Sequence, residues 1–207
     1  MRLAILGATG RIGGHLLSWA VDAGHPVHVL ARDAAAVPVR PGITVTEGSA
    51  LDPVAVADVI AEADAVLSAL GPRGAKAPAL LATAASNVVG AMAKTGARRL
   101  ICVSAVGAFI AEDPGAPFLI KLILPRVLAK PFADVRAMEQ VVQASDLDWT
   151  LVRATRLVDS PLTGHYQVRP QYPPPGLTKI SRADVAHFII GALTDSSYLG
   201  QTPAVAC

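Results

Sequence analysis

The chain has 207 residues, of which 52% are hydrophobic, 16% charged and 4% aromatic, and its formal net charge is +2. That length buries one core without requiring a second domain, and the apolar balance excludes a disordered chain. Sparse aromatics and a mild charge exclude stacking-based or electrostatic nucleic-acid binding, and two cysteines, Cys102 and Cys207, are too few for a disulfide framework.

Residues 2–6 are an apolar run of the length of a strand buried on both faces. The run breaks directly into Gly7-Ala-Thr-Gly-Arg-Ile-Gly13. In such a turn Gly7 lets the chain swing off the strand, Gly10 lets backbone approach a pyrophosphate, and Gly13 lets the following helix lie close to the sheet. That helix carries Ile12, Leu16, Leu17 and Ala20 on its apolar side and stops at Ala23-Gly24, after which residues 26–31 predict a second buried strand. Strand, glycine turn, helix and strand within about thirty residues form the context that a dinucleotide-binding motif requires.

Residues 32–36 predict a linker or short helix, broken over 38–42, and Ile43-Thr-Val-Thr46 a third, shorter strand. Asp52 and Pro53 supply the N-cap and first residue of a helix bearing Val54, Val56, Val59 and Ile60. Residues 65–70 predict strand four, followed by the turn Gly71-Pro-Arg-Gly74 at the edge where ligands of open parallel sheets bind. A long helix over 78–95, closed by Gly96, leads to strand five at 99–104. The longest uncharged span, 77–93, contains Pro78, Thr83, Ser86, Asn87 and Gly90 and reads as a sheet-covering helix, not a membrane span. No secretory pattern opens the chain, so a cytoplasmic protein with no membrane partner is expected.

Beyond residue 105 the regularity weakens. Residues 118–128 are strongly apolar and read either as a short buried helix or as a flap over a substrate, and Val135–Ala144 predicts another helix. Strand six follows at 148–153, then a loop over 154–164, a small outlying strand at 166–169 and an exposed proline-rich connection over 170–176. Ser181-Arg-Ala-Asp184 has the form of a capping box and launches the last helix through Leu193. The alternation predicts an α/β fold, a Rossmann-type doubly wound parallel sheet flanked by helices, as one domain over 1–207 with 105–130 and 154–180 forming a substrate-side extension.

The end of strand two chooses between the two nicotinamide dinucleotides, because an acid there binds ribose hydroxyls whereas an arginine pairs with a 2′-phosphate. Arg32 stands directly past that strand, nineteen residues beyond Gly13, and Arg11 is placed to reach the same phosphate from the glycine turn. The pattern therefore predicts NADP; Asp33 would argue for NAD if the strand ran one residue further.

Together Gly7-Ala-Thr-Gly-Arg-Ile-Gly13, Leu30-Ala-Arg-Asp33, Leu70-Gly-Pro-Arg73, Cys102-Val-Ser-Ala105 and Asp148-Trp-Thr-Leu-Val-Arg153 resemble the NAD(P)H-binding branch of the atypical short-chain dehydrogenase/reductases. The tail stretches 160–166 and 180–188 resemble the biliverdin reductase B, or flavin reductase, type of that branch. The resemblance implies an NADPH-dependent reductase of flavins, linear tetrapyrroles or similar planar acceptors, working as a monomer or weak homodimer. It implies Gly7, Thr9, Gly10, Arg11, Ile12 and Gly13 on the pyrophosphate, Arg32 on the 2′-phosphate, and Ser49 and Ala50 beside the adenine. It further implies Leu70, Gly71 and Arg73 along the centre of the cofactor and Ser104 at the nicotinamide.

Two departures from the pattern bear on chemistry. No Tyr-x-x-x-Lys pair occurs, which disfavours alcohol or ketone chemistry and nucleotide-sugar epimerisation, and Arg156 stands where the resembled type has a histidine before Pro-Leu-Thr-Gly. An arginine exchanges no proton near neutrality but holds a propionate or phosphate by a bidentate pair. Ser104 and Arg156 are thus the catalytic-site candidates, His165 and His187 the remaining candidate proton donors, and Cys102 a small buried thiol. The five histidines have no metal-ligand spacing. The competing expectation is an NADP-holding redox sensor that acts through partner proteins without turnover.

Overall fold

Burial on both faces makes the first apolar run the centre of the molecule. In the computed structural model, which describes residues 1–71 and 79–207, it forms β1 (Leu3–Leu6), every residue of which is buried. Leu3 and Ile5 point into one core and Ala4 and Leu6 into the other, as the period of two requires. The chain continues through α1 (Arg11–Asp22), β2 (Val27–Ala31), β3 (Ile43–Glu47), α2 (Pro53–Ile60), β4 (Ala65–Ser68), α3 (Leu80–Thr95) and β5 (Arg99–Ala105). After it come α4 (Phe118–Val127), α5 (Ala129–Gln143), β6 (Asp148–Ala154), β7 (Arg156–Val158), β8 (Gln167–Pro170), β9 (Lys179–Ser181), α6 (Arg182–Ala192) and β10 (Pro203–Ala206).

Among the described residues the main sheet has eight strands in the order β3-β2-β1-β4-β5-β6-β10-β8. All pair in parallel except β8, which runs antiparallel to β10 at the edge. α1 and α6 cover one face through Leu16, Leu17, Val185, Phe188 and Ile189. α2, α3 and α5 cover the other through Val56, Ile60, Val88, Met92, Met138 and Val142. The chain winds outward from β1 to β3 and then returns to place β4 on the other side of β1. The crevice at the carboxyl ends of β1 and β4 is therefore the topological switch point where ligands of such sheets bind.

Helix starts are set by local chemistry. Asp52 accepts a hydrogen bond from the Val54 amide at 2.9 Å, with Pro53 as first helical residue. Ser181 accepts one from the Asp184 amide at 2.8 Å, as a capping box predicts. α3 has no N-terminal side-chain cap of its own, because Ala79, at φ 61°, carries no side-chain acceptor. Asp134 of α5 serves instead, its carboxylate accepting from the Leu81 and Ala82 amides at 2.9 and 3.0 Å.

Four expectations are corrected. Residues 154–164 are not all loop, since β7 pairs in parallel with β9 in a separate two-stranded sheet. The strand expected at 166–169 is not outlying but forms the edge of the main sheet, and β10, which holds it there, was not anticipated. The apolar segment 118–128 is helical over 118–127 but contains no buried residue. The helix expected over 135–144 begins six residues earlier, at Ala129, so Pro131 lies in its first turn, where a missing N–H costs nothing.

Candidate active site along the carboxyl edge of the sheet

The glycine turn meets the steric demands read from its spacing. Gly7 has φ +84°, and a Cβ on it would stand 2.8 Å from the Ala69 carbonyl oxygen at the end of β4. A Cβ on Gly13 would stand 2.0 Å from the Gly7 carbonyl oxygen, so only glycine allows α1 to lie this close to the turn. Gly10 is the N-cap of α1, in extended backbone, and no side chain caps that end. The first turn of α1 thus presents uncapped N–H donors and the positive end of the helix dipole beside the switch-point crevice, the arrangement that holds a pyrophosphate. Thr9 and Arg11 are exposed there, whereas the Ile12 side chain is buried in the core, so any part it plays falls to its backbone. Arg11 is engaged by Asp159 at 2.7 Å, and Asp159 also binds Arg182 at 2.7 Å. Partial desolvation opposes the charge on Asp159, but the two guanidiniums prevail and hold its carboxyl below the usual range.

β2 ends at Ala31, which leaves Arg32 exposed as the first residue past the strand. Asp33 is turned onto its own backbone, where it accepts from the Ala35 amide at 3.0 Å and caps a 3₁₀ turn over Ala34–Ala36. At the next strand end the Ser49 hydroxyl accepts from the Leu51 amide at 3.2 Å, and the carbonyl of buried Ala50 accepts from the Asn87 side-chain amide at 2.9 Å. Leu70 is half-buried and Gly71 exposed just past β4, while Arg73 lies outside the described residues.

At the end of β5 the structure shows a buried polar cluster. Ser104 donates to Glu139 at 2.5 Å, and Glu139 accepts from Arg153 at 3.0 and 2.7 Å in a bidentate pair. The three residues are 5%, 2% and 6% exposed. The Arg153 guanidinium also lies 3.6 Å from the centre of the Phe109 ring. Sequence reasoning named Ser104 and missed Glu139 and Arg153, although both left a signal. Glu139 shares the helical face of Val135, Met138 and Val142, and Arg153 interrupts an otherwise apolar strand, so each charge was bound for the interior and required a partner.

Beside this cluster a largely apolar cavity of about 350 Å³ opens between the segments 106–124 and 155–178. Ile110, Ile120, Leu124 and the run Pro173-Pro-Pro175 supply its walls, and Arg156 is among its few charged groups. Asp113, also in the wall, accepts from the Gly115 amide at 2.8 Å. Ser104 does not line this cavity; it sits at the adjoining strand end, paired in register with Arg153.

The tail motifs explain one another. Buried Asp184 accepts from the Thr163 and Gly164 amides at 2.9 Å and from the Thr163 and Ser181 hydroxyls at 2.9 and 2.7 Å. Burial raises its pKa, but these donors outweigh burial and leave the carboxyl below its ordinary value. The loop 160–164 is thereby fastened to the start of α6. His187 contacts the Tyr166 hydroxyl at 2.8 Å and packs edge-on against Trp19 of α1, and His165 lines a shallow depression with Tyr166 and Cys207. Neither histidine belongs to the residues around the cavity. Burial pushes the Tyr166 phenol up to about 12 and the Cys102 thiol up to about 12, which removes both from acid–base work near neutrality. Among the described residues no cluster of His, Cys, Asp or Glu would hold a metal ion, and no helix is long and apolar enough to cross a membrane.

A doubly wound sheet with a glycine turn at its switch point defines a Rossmann-type dinucleotide-binding protein. The family model described as NAD(P)H-binding matches residues 7–196, and the chain belongs to that family. Solved structures share its fold. A short-chain dehydrogenase/reductase (wide type) from Veillonella parvula, in complex with NADP, superposes with a TM-score of 0.84 at 22% identity over 100% of this chain and 94% of that one. An anaerobillin reductase from Escherichia coli O157:H7 superposes with a TM-score of 0.83 at 24% identity over 100% of this chain and 97% of that one. Among named proteins, probable pinoresinol-lariciresinol reductase 3 of Arabidopsis thaliana is 34% identical over 74 residues, which span 33% of this chain and 24% of that protein.

Proposed function

We propose that the protein is an NADPH-dependent reductase that passes hydride to a planar conjugated acceptor such as a flavin or a linear tetrapyrrole. One observation carries this reading: the carboxyl edge of the sheet joins a dinucleotide-type glycine turn to an apolar cavity with Arg156 in its wall. Gly7, Thr9, Gly10, Arg11, Ile12 and Gly13 would surround the pyrophosphate, Ser49 and Ala50 the adenine, and Leu70, Gly71 and Arg73 the centre of the cofactor. The exposed Arg32 and the self-capped Asp33 favour a 2′-phosphate and hence NADP over NAD.

NADPH, when bound, supplies the hydride; the chain binds, orients and excludes water. Ser104 would stand at the nicotinamide with its proton already committed to Glu139, which leaves its lone pairs to accept from a carboxamide. Glu139 and Arg153 are positioning residues for that hydroxyl. The apolar cavity would seat a flat ring system, and Arg156 would pair with a propionate or phosphate tail. A conjugated acceptor spreads the incoming charge through its rings, so a proton from solvent suffices.

The two solved neighbours described above, one in complex with NADP and one an anaerobillin reductase, support the same class. Oxidation of NADPH followed at 340 nm with flavin mononucleotide or biliverdin as acceptor tests it. Turnover is expected, and Arg156→Ala should raise KM for these anionic acceptors about tenfold with little change in kcat. A flat trace with every acceptor, despite bound NADPH, would favour the redox-sensor reading instead.

A further inference from the structure

α4 presents an apolar face to solvent that nothing among the described residues covers. At helical spacing Phe118, Leu119, Leu122, Ile123 and Val127 stand on one side, 75%, 65%, 43%, 54% and 71% exposed. The helix spends other positions on its own protein, Ile120 and Leu124 lining the cavity. A largely apolar face of this kind, with the exposed Arg126 set within it, marks a contact surface.

We propose that this face docks the protein on an anionic lipid bilayer surface. Charge selects the occupant. Between Asp113 and Asp134 the chain has no acidic residue, whereas Lys121, Arg126 and Lys130 all fall within that stretch. Among the described residues none of the three takes part in an ion pair. A second copy of the chain would bring like charges together, while headgroup phosphates complement them. α4 has ten residues, about 15 Å of helix, too short to span and long enough to lie in the interface with its apolar side among the acyl chains. The expectation of no membrane partner rests on the lack of a secretory pattern and of a spanning segment, criteria that an interfacial helix escapes.

Co-sedimentation of the full chain with vesicles tests the assignment. Binding is expected to phosphatidylglycerol-containing vesicles at low salt, with at least about tenfold weaker binding to pure phosphatidylcholine or at about 0.5 M salt. Leu119→Glu combined with Ile123→Glu should lower partitioning by more than about tenfold, while the circular dichroism spectrum and NADP binding stay unchanged. Lys121→Glu with Lys130→Glu, which leaves the apolar face intact, should abolish the preference for anionic vesicles. No sedimentation with anionic vesicles at low salt, or binding by both double variants equal to that of the parent, would overturn the proposal. So would a solution dimer that Leu119→Glu with Ile123→Glu splits, which would give the face to a second copy.

Discussion

Removal of the Glu139 carboxylate tests the buried cluster at the end of β5. In Glu139→Ala the Arg153 guanidinium, 6% exposed, loses both strong acceptors and among the described residues keeps only the Gln171 carbonyl at 3.4 Å and the face of Phe109. Stranding a buried charge in this way costs about 3–5 kcal/mol. For a chain of this length each kcal/mol moves Tm by roughly 2–4 °C, so the variant should melt roughly 6–20 °C lower. Urea unfolding at pH 7 gives the free energy, and the double variant Glu139→Ala with Arg153→Met supplies the control. Since the double variant buries no unpaired charge, it should recover at least about half of the loss. A single variant within about 1 kcal/mol of the parent, or a double variant no more stable than the single, would refute the reasoning.

Other consequences are as direct. Asp184 has a lowered pKa in the folded chain, so its contribution is complete above its ordinary value of 3.8 and is lost as pH falls through the lower folded value. Urea midpoints measured from pH 7 downward should therefore fall more steeply below about pH 4 in the parent than in Asp184→Asn, which begins less stable. Cys102 is buried with its thiol pushed up to about 12, whereas Cys207 is half-buried, so a thiol reagent at pH 8 should label one cysteine quickly and the second only after unfolding. Gly13→Ala forces a Cβ against the Gly7 carbonyl and should cost about 1–3 kcal/mol or more together with most nucleotide affinity, read by thermal melts with and without NADP.

The parallel sheet was legible because β1, β2, β4 and β5 are apolar runs bounded by turns, and α2 and α6 carry their own side-chain caps. Asp52 and Ser181 announced α2 and α6 in three or four residues of sequence. β7 and β9 were not legible, since three residues are too few to show a period and the two strands meet only through tertiary structure. β10, Pro203-Ala-Val-Ala206, is equally short and is fixed by pairing with β6 and β8. At α4 apolar content left a buried helix and a flap over a substrate both open, and the structure rules out the buried helix by leaving every residue at least partly in solvent. At the site the glycine turn and the exposed position of Arg32 just past β2 followed from local spacing, but the link from Asp184 to Thr163 and Gly164 spans about twenty residues of chain and emerged only from the fold. Glu139 and Arg153 were readable in principle as charges on apolar surfaces, though their pairing with Ser104 was not.

Titration calorimetry of the protein with NADP and with NAD, in the parent and in Arg32→Ala, tests the central claim most directly. The account predicts that the parent binds NADP more tightly than NAD, and that Arg32→Ala loses about tenfold or more of its NADP affinity while its NAD affinity scarcely changes. Absence of heat with either nucleotide, or an equal loss for both in the variant, would contradict it.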